Sequence, residues 1–141
     1  MRRNDVDQRR RVPQRSFDGG AKIFGVIGSK GDLFDEARVR DIAARSWDRN
    51  PSHDGLARQL VAILASGDRT EQLRRLSVAA LVIHGEADPL VTPSGGAATA
   101  AAIRGSRLLT FPQMGHDLPE PLWPRFVDAI AELASKAPTA V

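Results

Sequence analysis

No cysteine occurs among the 141 residues, which excludes disulfides, thiolate metal sites and a cysteine nucleophile. Long apolar runs are missing too, so no segment is predicted to cross a bilayer. The arginine-bearing start, MRRNDVDQRRRVPQR, has no apolar stretch after it and does not read as a secretory signal peptide, which makes a cytoplasmic location the default expectation. Arg2, Arg3, Arg9, Arg10, Arg11 and Arg15 concentrate the excess behind the net charge of +3. That segment lacks interleaved aromatic residues and any nucleic-acid-binding motif, so it is read as a disordered tail rather than a nucleic-acid arm. The histidines His53, His84 and His116 are dispersed and have no H-E-x-x-H spacing, so no metal and no other cofactor is expected.

What is present suits a folded domain. A hydrophobic share of 42% against 26% charged residues separates the chain from disordered sequences, and its length allows a core if the elements are complete. Ala21 to Ile27 is a short apolar stretch, followed by the glycine-rich break Gly28 to Gly31. From Asp35, a plausible N-cap, the period becomes helical: Val39, Ile42, Ala43, Ser46 and Trp47 share one face. A break at Asn50 to Gly55 contains His53, read as solvated. A second amphipathic helix carries Leu56, Leu60, Ile63 and Leu64 and stops near Gly67, and Thr70 is placed to cap a third through Arg75.

The second half changes period. Leu76 to Ile83 ends in the apolar run AALVI, suited to a buried parallel strand. Thr92 and Pro93 start a helix that Gly105 is placed to end, RLLTF (Arg107 to Phe111) is the next strand, and a last helix from about Pro121 carries Leu122, Phe126, Val127, Ile130 and Leu133. Strand, helix, strand, helix is a parallel crossover unit of an α/β protein. The expected organisation is a basic tail over 1–20, a helical segment over 21–75, the α/β unit over 76–136 and a short tail over 137–141.

Chemistry concentrates in two loops. Parallel strands deliver the loops that follow them to one edge, and Asp88 follows the first strand as His116 follows the second. An acid and then a histidine is the chain order that closes a serine, acid, histidine triad, in which the histidine takes the nucleophile's proton and the carboxylate fixes its tautomer. Glu86 is a rival carboxylate, and Asp117 is read as a turn or capping residue. His84 closes the first strand near the site and is expected to be a packed supporting residue. Met114 lines the pocket or fills a gap in the core, and Trp47 and Trp123 fall on apolar helix faces.

The stretches LARQLVAILASGDRT (Leu56 to Thr70), LVIHGEADPLV (Leu81 to Val91) and MGHDLP (Met114 to Pro119) resemble the C-terminal part of an α/β-hydrolase, closest to lipase-like and methyl-esterase-like serine hydrolases. The resemblance runs from about Phe34 to Ala134. It implies Asp88 as triad acid, His116 as triad histidine, and the helices from Asp35 to Arg75 as much of a cap over the substrate pocket. The sequence departs from that pattern at Ala79, where proline is common, and at Gln113, where glycine is usual.

The larger departure concerns the nucleophile. The elbow G-x-S-x-G requires small residues around an exposed serine, and no serine here has them. Ser29 is followed by Gly31 but preceded by Ile27, and Ser94 is followed by Gly96 but preceded by Thr92, so Ser29 is read as a loop serine and Ser94 as a helix-start residue. The expectation is an ester- or acyl-hydrolase portion holding acid and histidine without nucleophile: truncated, inactive alone, and marginally stable or self-associating because its sheet edges are open. Its expected partners are a small acyl or ester substrate and a complementary N-terminal hydrolase half, with neither membrane nor nucleic acid among them. A non-catalytic ligand-binding or scaffold protein is the alternative.

Overall fold

The computed structural model describes residues 14–49 and 54–136. Residues 1–13, the break residue His53 and the terminal 137–141 lie outside the described residues. The elements in chain order are α1 (Gln14–Ile27), α2 (Glu36–Arg49), α3 (Asp54–Ser66), α4 (Thr70–Arg74), β1 (Leu81–Gly85), α5 (Pro93–Ala102), β2 (Arg107–Phe111) and α6 (Trp123–Ser135), with single 3₁₀ turns at Gly31–Leu33 and Glu120–Leu122.

β1 and β2 pair in parallel, Leu81 opposite Arg107 through Gly85 opposite Phe111. A parallel pair needs a crossover, and α5 supplies it, starting at Pro93 with Thr92 as N-cap. Side chains alternate across the ribbon. Ile83, Leu109 and Phe111 face α6, where Phe111, Met114 and Phe126 form the buried cluster and Leu122 packs beside it. The rings of Phe111 and Phe126 meet edge to face at 5.2 Å, and Arg125 lies over the Phe111 ring. The other face receives α5, whose Gly96 lies against the ring of His84. At the far end of β2, Arg107 bonds Glu132 of α6; with Lys136, which bonds the same carboxylate, it lowers the Glu132 pKa to about 2. The order is a helical segment followed by strand, helix, strand, helix, the parallel crossover unit of an α/β protein.

Several local expectations are revised. The backbone is helical from Gln14, inside the stretch read as a tail to residue 20, and α1 packs against α2 as a helical hairpin. Strand β1 begins at Leu81, two residues into the apolar run AALVI, and runs on to Gly85. Asp35 does cap α2, accepting the Arg38 N–H at 2.9 Å. Thr70 is the first residue of α4 rather than its cap, and the acceptor there is Asp68, whose Oδ1 takes both the Thr70 N–H and its hydroxyl. The α6 stripe is only half covered, with Phe126 and Ala129 buried while Val127 and Ile130 stay exposed, because the ribbon beneath has two strands. Trp123 is exposed at its rim rather than in the core, its indole N–H donating to the Leu118 carbonyl.

The apolar residues Leu60, Val61, Ile63 and Leu64 of α3 are exposed as well. No helix among the described residues is long and apolar enough to cross a membrane. Stability therefore rests on a small cluster. Phe111→Ala, at a residue only 1% exposed, is expected to cost about 3–5 kcal/mol. Ile63→Ala, at a residue 69% exposed, is expected to stay within about 0.5 kcal/mol. Urea denaturation followed by circular dichroism compares the two, and equal costs would place the core elsewhere.

Candidate active site

The strands end at one level, and the loops that follow them are joined before their side chains meet. The Glu86 N–H donates to the Phe111 carbonyl and the Ala87 N–H to the Met114 carbonyl, both at 3.0 Å. Two glycines permit this approach. A Cβ on Gly85 would fall 2.2 Å from the Met114 carbonyl oxygen, and one on Gly115 would fall 2.3 Å from the Gly28 carbonyl in the turn after α1.

Asp88 and His116 come together across these loops, with His116 Nδ1 at 2.8 Å from Asp88 Oδ2. The other carboxylate oxygen accepts the N–H groups of Leu90 at 2.8 Å and Val91 at 3.0 Å, so the loop's own turn fixes the acid. Asp88 is 6% exposed. Burial works to raise its pKa, but the Val91 N–H, the His116 ring and the Leu90 N–H outweigh burial and leave it below the usual carboxylate value. An ionised carboxylate only accepts, so Nδ1 carries the hydrogen of this bond and Nε2 is the nitrogen left to take a proton. The His116 side chain is 43% exposed.

His84 does not join this pair. Its Nε2 donates to the Val91 carbonyl at 2.9 Å, and Val91 in turn donates its N–H to Asp88, so His84 bears on the acid through one peptide unit. Glu86 is occupied by the Thr110 hydroxyl at 2.6 Å. Met114 both belongs to the buried cluster and lines a cavity of about 300 Å³ bounded by His84, Asp88, Val91 and His116. Among the described residues, no three His, Asp or Glu side chains group closely enough to hold a metal ion.

A second cavity, about 820 Å³, opens on the other side of His116. Val39, Ile42, Ala43 and Ser46, the face of α2 expected to be apolar, line it together with Phe24, Leu33 and Leu118. That face bounds a cavity rather than a packed core, which is why α2 has no buried residue.

Sequence reasoning underrated Ser29. It is 1% exposed, and its hydroxyl and N–H both donate to Asp117 Oδ1, at 2.6 and 2.7 Å. Asp117 is thus the acceptor for a residue 88 positions away rather than a local cap. A pairing at that separation leaves no periodic signal, and only the glycines flanking Ser29 mark the segment as unusual.

The family model described as TAP-like protein matches residues 64–121, a span that contains both Asp88 and His116. Among solved structures, one titled "Est816 as an N-Acyl homoserine lactone degrading enzyme" superposes with a TM-score of 0.56 at 16% identity, over 82% of this chain and 46% of that one. The chain has the fold of the C-terminal portion of an α/β-hydrolase. The chain spans less than half of the solved structure it resembles, and no curated protein matches it.

The lowered pKa of Asp88 gives a signed prediction. A carboxylate with a depressed folded-state pKa stabilises the fold above its unfolded value, about 3.9, and that contribution is lost as pH falls through this value toward the lower folded one. Denaturation midpoints of the native chain and of Asp88→Asn are therefore expected to converge as pH falls from about 5. Parallel pH profiles would show that Asp88 is not held as an ion.

Proposed function

We propose that Asp88 and His116 are the acid and the base of a serine-hydrolase triad acting on a carboxylic ester or related acyl compound, lactones included. The observation that carries this reading is the 2.8 Å Asp88–His116 bond with its half-exposed ring at the mouth of an apolar cavity of about 820 Å³. The solved neighbour is titled a lactone-degrading enzyme, and a lactone is an internal ester.

In the proposed reaction a serine hydroxyl gives its proton to His116 Nε2 as its oxygen attacks the substrate carbonyl. His116 then returns that proton to the departing alkoxide, which leaves as the alcohol, and water repeats the cycle on the acyl-enzyme. Asp88 keeps Nδ1 protonated and supports the imidazolium that forms. The serine lies outside these 141 residues, because no G-x-S-x-G occurs in them and the buried Ser29 hydroxyl has already committed its proton to Asp117.

The 141-residue chain alone is expected to hydrolyse p-nitrophenyl esters no faster than buffer, and turnover abolished by His116→Ala would sink this reading. Co-produced with a chain encoded immediately upstream that contains G-x-S-x-G, it is expected to gain esterase activity. His116→Ala or Asp88→Asn should then lower kcat by about 10⁴-fold or more.

The large apolar cavity, present without a nucleophile, favours a second reading as a small-ligand binder. That reading expects an apolar ester to bind the Asp88→Ala/His116→Ala variant as it binds the native chain, measured by calorimetry, with no turnover in any co-produced form. Loss of binding in the double variant counts against it.

A further inference from the structure

We infer that Ser29 is the positioning residue for His116: its hydroxyl locks the turn after α1 to both flanks of the histidine and so sets where the imidazole points. The inference rests on reading His116 as the base paired with Asp88. Four backbone or side-chain groups of residues 27–30 bond the histidine loop. The Lys30 N–H donates to the Gln113 carbonyl at 2.8 Å, and the His116 N–H donates to the Ile27 carbonyl at 2.8 Å. Between them the Ser29 hydroxyl accepts the Gly115 N–H at 3.1 Å and donates to Asp117 Oδ1 at 2.6 Å, while the Ser29 N–H donates to the same oxygen at 2.7 Å.

Ser29 thus holds residue 115 on one side of His116 and residue 117 on the other, using the two capacities of a single hydroxyl. The serine is 1% exposed, so no water stands in for these bonds without the loop opening. Replacing it by alanine leaves the buried Gly115 N–H without its acceptor and Asp117 with one donor fewer. The backbone that carries the imidazole then relaxes relative to Asp88, although neither member of the pair has been altered. A displacement of this kind reaches catalysis through geometry alone.

The test reads the His116 ring by ¹⁵N and ¹H NMR at neutral pH, assigned with His116→Gln. In the native chain the ring is expected to be in the Nδ1–H form, with that proton protected from exchange by Asp88. Ser29→Ala is expected to lower the Nδ1–H fraction and to speed exchange of that proton roughly tenfold, as for the loss of one net hydrogen bond. Ala129→Gly, which weakens buried α6 without touching the loop, should leave both signals unchanged in the folded molecules. If Ser29→Ala does not fold, the partner residue gives the same comparison: Asp117→Asn keeps an acceptor oxygen and should retain the native ring signals, whereas Asp117→Ala should shift them as Ser29→Ala would. Native ring signals in folded Ser29→Ala or Asp117→Ala, or an equal shift in Ala129→Gly, overturn the inference. A native ring without the Nδ1–H form overturns the Asp88–His116 reading itself, and the inference with it.

Discussion

The parallel register of β1 and β2 is the constraint from which the site follows. With Gly85 opposite Phe111, both strands release their chains at the same level of the ribbon, and the Ala87 N–H reaches the Met114 carbonyl in the neighbouring loop. A slip of one residue would move one loop about 3.3 Å along the other and turn one strand's core residues away from α6. A hydrogen bond of 2.8 Å between Asp88 and His116 does not survive such a shift. The edge-to-face contact of Phe111 with Phe126 therefore does more than bury area, because it selects the register in which acid and histidine meet.

Within the pair, the two residues are treated differently by their surroundings. Asp88 is buried and accepts three hydrogen bonds, two of them from its own turn, so its orientation is fixed without the histidine. His116 is half exposed, and a single side-chain bond turns its ring. His84 adds to this asymmetry by holding the Val91 peptide that supports Asp88. The acid side is consequently rigid by local sequence, since its two backbone donors, Leu90 and Val91, and His84, which holds the Val91 peptide, all lie between residues 84 and 91. The histidine side depends on residues far away in the chain.

That difference explains what could be read before the structure. RLLTF marked β2 residue for residue, Thr92 and Pro93 marked the start of α5, and the stretches around Asp88 and His116 marked two loops at one edge. Each of these is a local pattern: an apolar run, a cap, a turn. Ser29 looked like an ordinary loop serine because its partners are Gly115 and Asp117, and no local rule reports a contact across 86 or 88 residues. Thr70 does not cap α4, because Asp68, two residues earlier, takes both its N–H and its hydroxyl proton. The apolar stripe of α6 has the period of a core helix, yet period says nothing of how many strands lie beneath it, and two strands leave Val127 and Ile130 uncovered.

Magnitudes decide what holds the α1–α2 hairpin over the histidine. In the first turn of α2, Arg38 pairs with Glu120 at 2.8 Å and lies 4.8 Å from the Trp123 ring centre. Both partners of the ion pair are substantially exposed, and such pairs contribute about 0–1 kcal/mol, with the cation–π contact about 0.5–1 kcal/mol. At the end of α1 several hydrogen bonds converge on residues 27–30 around a fully buried serine, each worth about 0.5–1.5 kcal/mol and more costly to leave unmade. The attachment at residues 27–30 dominates. The turn after α1 is therefore what pins this wall of the cavity beside His116, and the Arg38 contacts add the smaller share.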